Sequence, residues 1–303
     1  MTWEQAVTDF SLFLKIERGL AENTITGYTL DIEKLIHFLN AKSLSVSPVN
    51  IDTEVVAQFI YETAKTVNPR TQSRIISGLR SFFNYLIFEN YRSTNPLDLI
   101  ETPKIGRKLP DTLSVQDIDR LINAINVNKF YNGVQIGERD RTMLETLYSC
   151  GLRVSELIAL KLSDLFFKEG FIKVTGKGNK ERFVPISPVT QTYITNYIKT
   201  VRPSIKIQKD YKDTLFLNNR GKQLTRAMIF TIIKALAVKI NLNKTISPHT
   251  FRHSFATHLL ENGANLRAIQ LMLGHESITT TEIYVHLDNT QLQKAIQTYH
   301  PRK

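Results

Sequence analysis

From Trp3 to Asn90 apolar residues recur every three to four positions, the spacing that gathers them on one face of a helix. Phe10, Leu12, Phe13 and Leu14 mark a first helix, which stops near Gly19. A second, with Asn23 or Thr24 as its expected cap, turns Ile25, Tyr28, Leu30, Ile32, Leu35, Ile36 and Leu39 inward. Asp52 or Thr53 opens a third through Val55, Val56 and Phe59. Pro69 precedes a fourth, with Ile75, Ile76, Leu79, Phe82, Phe83, Leu86 and Ile87 inward and Arg70, Arg74 and Arg80 interrupting the pattern. This predicts a helical bundle of roughly 100 residues.

The periodicity then stops. Residues 101–112, ETPKIGRKLPDT, hold two prolines, a glycine and three basic residues, and 104–112 reads as a linker between domains at 1–103 and 113–303. Helical spacing returns at about 114–126 and 138–149. Three short β-branched or aromatic runs follow, Leu165–Phe167, Phe171–Thr175 and Arg182–Ile186, separated by glycine-containing turns, and predict a small antiparallel meander. From about residue 188 to the end the pattern is helical again. The expected fold is therefore mainly α with a small antiparallel β-sheet: a helical N-terminal domain and a mixed α/β second domain.

Composition narrows the function. With 42% hydrophobic and 22% charged residues, the 303-residue chain is neither collagenous nor low-complexity. One cysteine, Cys150, excludes a disulfide framework and any cysteine-built metal cage. No apolar run approaches the roughly 20 residues of a membrane span, and the acidic, amphipathic start MTWEQAVTDF is unlike a secretory signal, so a cytoplasmic protein without membrane partners is expected. Charge changes the picture more. Residues 1–103 carry 9 Lys/Arg against 12 Asp/Glu, or −3, whereas residues 104–303 carry 30 against 16, or +14. A basic excess confined to one part of the chain suggests a polyanionic partner, nucleic acid above all, with a generally basic surface as the plainer alternative.

Candidate chemistry lies in that basic part. In SPHTFRHSFATHLLENG (247–263), Ser247 and Pro248 read as N-cap and N1, and Gly263 as the stop. His249 and Arg252, three apart, share a face of the first turns, where free amides and the helix dipole already favour phosphate. His249 and His253, four apart, also have zinc-like spacing, but the metalloprotease pattern needs Glu where Thr250 stands. Structural histidines on an ordinary helix are the third reading. Two further segments add candidates. YSCGLRVSELIALKLSDL (148–165) sets Arg153 beside Glu156 in a helix break, and NLRAIQLMLGHESITTTEIYVHL (265–287) places His275 after Gly274 and Tyr284 on a new helix.

Arg153 in GLRVSEL, Lys177 in TGKGNKER, His249-x-x-Arg252, His275 in LGH and Tyr284 nine residues later form an ordered set that resembles the tyrosine recombinases, the phage-integrase-like site-specific DNA strand exchangers. GLAENTITGYTLDI near the start and the closing YHPRK are similar to the Xer branch. The resemblance implies a core-binding helical domain and a catalytic domain. It also implies attack by Tyr284 on a phosphodiester to give a 3′-phosphotyrosine and a free 5′-hydroxyl. Arg153 and Arg252 would meet charge on the non-bridging oxygens, with His249 and His275 as further donors. Lys177 would be the acid for the 5′-oxygen, and Glu156 would orient an arginine or histidine. Thr24, Tyr28, Arg70, Arg74, Lys180 and Arg182 are the expected DNA contacts. No cofactor and no metal are implied. The implied partners are double-stranded DNA carrying a recombination site, a homo- or hetero-tetramer on two duplexes with a second Xer recombinase, and an FtsK-type DNA translocase. The C-terminal segment 289–303, with Leu292, Ile296 and Tyr299 on one face, would dock onto a neighbouring protomer. An integrase of a mobile element, a type IB topoisomerase, which shares the chemistry without sequence choice, and a non-catalytic DNA-binding regulator are the alternatives.

Overall fold

Thr2 opens the first helix by a reciprocal cap: its hydroxyl accepts from the Gln5 N–H while the Gln5 side chain accepts from the Thr2 N–H. The computed structural model describes residues 1–103, 106, 111–131, 133–274 and 289–302. It divides into two units, Met1–Lys108 and Leu109–Lys303.

The first unit holds α1 (Trp3–Ile16), α2 (Glu22–Ala41), α3 (Thr53–Ala64) and α4 (Pro69–Phe88). Asp52 caps α3, and Asn68 caps α4 with Pro69 following it. The expected cap of α2 is corrected. Helical bonding already begins at the Ala21 carbonyl, which accepts from Thr24 and Ile25, so Asn23 and Thr24 lie inside the first turn. Leu30 is also corrected, being 49% exposed. It sits about 200° around the helix from Ile32, off the inward stripe. The core joins Phe10, Ile32, Leu35, Ile76, Leu79, Phe82, Phe83 and Leu86, all fully buried. Asp31 is buried among them against Gly78, where an added Cβ would stand 3.1 Å from its Oδ2. Arg74 reaches from α4 to grip both its oxygens, at 2.5 and 2.7 Å, and Lys34 adds a third contact. A buried carboxylate is tolerable only when paired in this way. Arg74 therefore ties α2 to α4, and Arg80 donates to the Leu97 and Ile100 carbonyls.

The second unit runs α5 (Val115–Asn123), β1 (Phe130–Tyr131), β2 (Val134–Gln135), α6 (Ile136–Ser149), α7 (Val154–Ala159), β3 (Leu165–Phe166), β4 (Phe171–Thr175), β5 (Glu181–Pro185), α8 (Pro188–Asn196), α9 (Arg226–Lys239), α10 (Pro248–Glu261), α11 (Leu266–Leu273) and α12 (Asn289–Tyr299). The meander is antiparallel in the order β3–β4–β5, with Val174 opposite Arg182 and Thr175 opposite Glu181. The two-residue ribbon β1–β2 is too short to show a period in the sequence. Leu147, Tyr148, Leu152, Ile172, Val184, Phe216, Phe251, Phe255 and Met272 form the core. Cys150 is fully buried beside them. Among the described residues no helix is long and apolar enough to cross a membrane.

The C-terminal helix packs on its own unit. Leu292, Ala295 and Ile296 of α12 are buried in the chain's own unit, where α12 lies against α10, α11 and β5. Asn262 donates to the Tyr299 carbonyl at 2.6 Å. His300, wholly buried, sits between the rings of Tyr148 and Phe255, at 4.9 and 5.2 Å between centroids. Arg302 donates its backbone N–H to His300 Nδ1 and its guanidinium to Glu145 and Asp119. The charged end of the chain is thus tied to α5 and α6.

Burial, followed by the charges of Arg302 and His258, pushes His300 down to about 3 from 6.5. The folded unit therefore holds a neutral ring where the unfolded chain takes up a proton below about pH 6.5. Its contribution to stability is whole above that value and is lost as pH falls toward 3. Between pH 7 and pH 5 the loss should be about 2 kcal/mol. Urea unfolding at the two pH values should show it, and His300→Phe should flatten the difference. An unchanged slope in the variant would place the pH sensitivity elsewhere.

Candidate active site

After α6 the chain reverses through Gly151 at φ +57, where an added Cβ would lie 2.4 Å from the Phe255 ring, so only glycine fits. The turn delivers Arg153 to the N-cap of α7. Its backbone N–H donates to Glu156 Oε2 at 2.8 Å and its Nη1 to Oε1 at 2.7 Å. Arg182 on β5 meets the same carboxylate from the sheet, Nη1 to Oε1 at 2.8 Å and Nη2 to Oε2 at 2.9 Å. Arg252, one turn into α10, stands 3.8 Å from Oε2. That helix begins at Ser247, whose N–H donates to the Thr250 hydroxyl. Glu156 is 2% exposed and gathers three guanidinium groups.

A second element completes the cluster. The last carbonyls of a helix lack intrahelical partners and carry the negative end of its dipole. At the end of α11, Met272 O accepts from Arg182 Nε at 2.8 Å, Leu273 O from Arg252 Nη2, and Gly274 O from Arg153 Nη2 at 3.3 Å. Three successive carbonyls each take one arginine. Arg252 also donates to Gly151 O at 2.7 Å. Gly274 ends the helix at φ +63, with the Arg182 side chain 3.1 Å from where a Cβ would be.

Burial alone would raise the Glu156 carboxyl, but hydrogen bonds and charge from Arg182, then Arg153, hold it below the usual carboxylate range. Burial, then the Arg153 charge, pushes Arg252 down, with Glu156 opposing. A guanidinium nevertheless stays protonated. Three cations on one carboxylate leave the cluster at +2, and Arg153, 31% exposed, is its outward member. Such a cluster is suited to a dianionic or monoanionic oxygen group such as phosphate.

Glu156→Ala should destabilise the second unit by about 3–5 kcal/mol, because buried Arg182 loses its counter-charge. Urea unfolding measures it, and a loss under about 1 kcal/mol would mean that the arginines relax into water.

The remaining candidates are placed as follows. His249 is exposed on the first turn of α10, and His253 is exposed too. Among the described residues no three His, Cys, Asp or Glu side chains group as a metal site. His258, which the motif reading passed over, is buried, its Nδ1 2.8 Å from the Tyr148 hydroxyl. Lys177 starts the single 3-10 turn between β4 and β5, with Gly178 at φ +69. Its side chain lies outside the described residues, as do His275 and Tyr284 entirely. In the first unit Thr24 and Tyr28 are half-buried, and Arg70 is exposed on the first turn of α4. Arg74 is half-exposed while gripping Asp31. Lys180 is exposed. Arg182 is the correction: expected to face outward toward DNA, it is 6% exposed and spent on Glu156 and Met272. The alternation of β5 puts Arg182 on the buried face of Val184, but its partners lie 26 and 90 residues away in sequence and carried no signal.

Residues 111–291 match the phage integrase family, and residues 7–90 match the phage integrase N-terminal SAM-like domain. The chain is 44% identical over 297 residues to "Tyrosine recombinase XerD" of Staphylococcus saprophyticus, covering 98% of each. It is 43% identical to the protein of that name from Oceanobacillus iheyensis, covering 99% of each. In fold it is similar to the XerH site-specific recombinase in a post-cleavage complex with palindromic difH substrate (TM-score 0.69, 24% identity, 95% of this chain and 83% of that one). A lambda integrase dimer bound to a COC′ core site is likewise similar (TM-score 0.71, 17% identity, 93% and 97%). The chain belongs to the phage integrase family of tyrosine recombinases. Within it the chain is XerD-like: a site-specific recombinase of the Xer type, an enzyme of DNA cleavage and strand exchange.

Proposed function

We propose that the arginine cluster is the phosphate clamp of a recombinase active site, and that the second unit cuts DNA through Tyr284. The convergence of Arg153 and Arg252 on Glu156, at the end of the helix that leads into His275, carries this reading. The Tyr284 hydroxyl, its proton passing to a histidine of the site, attacks phosphorus, the P–O5′ bond breaks, and a 3′-phosphotyrosine and a 5′-hydroxyl result. The phosphodiester's energy is retained in that link, so a 5′-hydroxyl from another strand reverses the step on a new partner. Arg153 and Arg252 meet the charge on the non-bridging oxygens, His249 and His275 donate to them, and Lys177 protonates the 5′-oxygen. Glu156 holds the arginines in register.

The substrate is double-stranded DNA carrying a specific recombination site. The first unit, with Thr24, Tyr28, Arg70 and Arg74, and Lys180 of the second are the contacts proposed outside the clamp. Assembly is a tetramer on two duplexes, homomeric or with a second Xer recombinase, in which segment 289–303 leaves its cis seat for a neighbouring protomer. The process is resolution of chromosome dimers in the cytoplasm, activated by an FtsK-type translocase. The similarity to XerD proteins along nearly the whole chain supports this over a mobile-element integrase. Selection of bound sites from random duplex DNA, followed by trapping on a nicked suicide version of the selected site, tests it. A denaturation-resistant protein–DNA adduct is expected, and no adduct on any selected site would overturn the reading.

A further inference from the structure

We infer that Arg182 is a positioning residue for recombination: it neutralises Glu156, so that Arg153 and Arg252 keep their charge for the scissile phosphate, and it fixes the three segments that carry catalytic groups against one another. This rests on the proposed role of Arg153 and Arg252 at phosphate.

The charge argument starts from Glu156. A carboxylate that orients two phosphate-facing arginines also competes for them, because each contact with it weakens the attraction for an incoming anion. Arg182 takes up that carboxylate with a two-point contact to both oxygens, Nη1 to Oε1 and Nη2 to Oε2. The pair Arg182–Glu156 is then neutral, and Arg153 and Arg252 remain as two cations. The burial of Arg182 fits this role, since its side chain is 5% exposed against 31% for Arg153. A guanidinium is the right group, as it alone spans two carboxylate oxygens and keeps a further N–H for another acceptor.

The mechanical argument uses that further N–H. Arg182 Nε holds Met272 O, one residue from the carbonyl that holds Arg252 and two from the carbonyl that holds Arg153. Arg182 itself stands on β5, the strand that follows the turn bearing Lys177. One side chain thus links the Lys177 hairpin, the α7 N-terminus with Arg153 and Glu156, and the end of α11 that precedes His275. The side chain runs close over Gly274, where a Cβ would stand 3.1 Å from its Cδ, so a larger residue there would push it aside.

The test compares Arg182→Met, Arg182→Lys and Arg182→Met with Glu156→Gln. Each is assayed for half-site affinity, single-turnover adduct formation at saturating suicide substrate, and urea unfolding. Arg182→Met should bind DNA within about threefold of the parent yet form adduct about 100-fold more slowly, a loss in the chemical step and not in binding. Arg182→Lys, which keeps the counter-charge, should stay within about tenfold of the parent rate. Adding Glu156→Gln to Arg182→Met restores the charge balance and should recover at least about tenfold. Equal losses in the Lys and Met variants, a parent-like rate in a folded Arg182→Met protein, or no recovery in the double variant would overturn the inference. Should Arg182→Met not fold, the Lys variant and the double variant still decide. If the parent itself formed no adduct, or if Arg153→Ala and Arg252→Ala cleaved like the parent, the phosphate-clamp reading would fall instead.

Discussion

Tyr284→Phe is expected to abolish the covalent protein–DNA adduct while leaving half-site binding within about threefold. The substitution removes one oxygen and keeps the ring, so the DNA surface is preserved and only the nucleophile is lost. The substrate makes the effect absolute. When the short strand beyond a nick diffuses away, the 5′-hydroxyl needed for religation is gone, and every cleavage event accumulates as a denaturation-resistant band. No neighbouring group in the clamp can substitute, since arginines are protonated and poor nucleophiles. An undiminished band in the variant would move the nucleophile to another residue, and a band lost together with binding would show only a folding defect.

The second large effect concerns the leaving group. An alkoxide departs poorly, so the 5′-oxygen needs a proton as the P–O bond breaks, and a positioned acid contributes about 10²–10⁴ in rate. Lys177→Ala should therefore cut ordinary DNA about 10²–10⁴ more slowly. A substrate with sulfur at the 5′-bridging position loses a thiolate, which needs no proton, and on it the variant should regain most of the parent rate. Arg252→Ala should gain nothing from sulfur, because the partners proposed for it are the non-bridging oxygens. Equal defects of Lys177→Ala on both substrates would make Lys177 a phosphate contact in a basic hairpin and leave the acid to be found.

Much of the fold was legible because its signals are local. Asp52, the Ser247–Pro248 pair, Gly263 and Gly274 each punctuate a helix through interactions within a few residues, and the caps stand where the spacing put them. The start of α2 is less legible, because polar residues at its first turn look like caps whether or not the chain has already begun to coil. The gathering of Arg153 and Glu156 was legible for the same local reason, being one helical turn apart. The partners of Arg182 were not, because the alternation that puts it on the buried face of Val184 does not say which groups, 26 and 90 residues away, it meets there. The same holds for Arg74, whose grip on Asp31 spans 43 residues, and for α12, whose apolar stripe says that it is covered but not by which copy.

Cys150 gives the second unit a clock of its own. It is the chain's single cysteine, wholly buried beside the turn that carries Gly151, and burial pushes its thiol up to about 12. At pH 8 only about one molecule in ten thousand would carry the reactive thiolate, even before access is considered. Alkylation of the native protein therefore waits for the core to open, and its rate reports how often the segment bearing Arg153 comes loose. A fluorophore attached to a new surface cysteine would meet almost no competition from this one, so strand-exchange assemblies can be followed by energy transfer without first removing a native thiol.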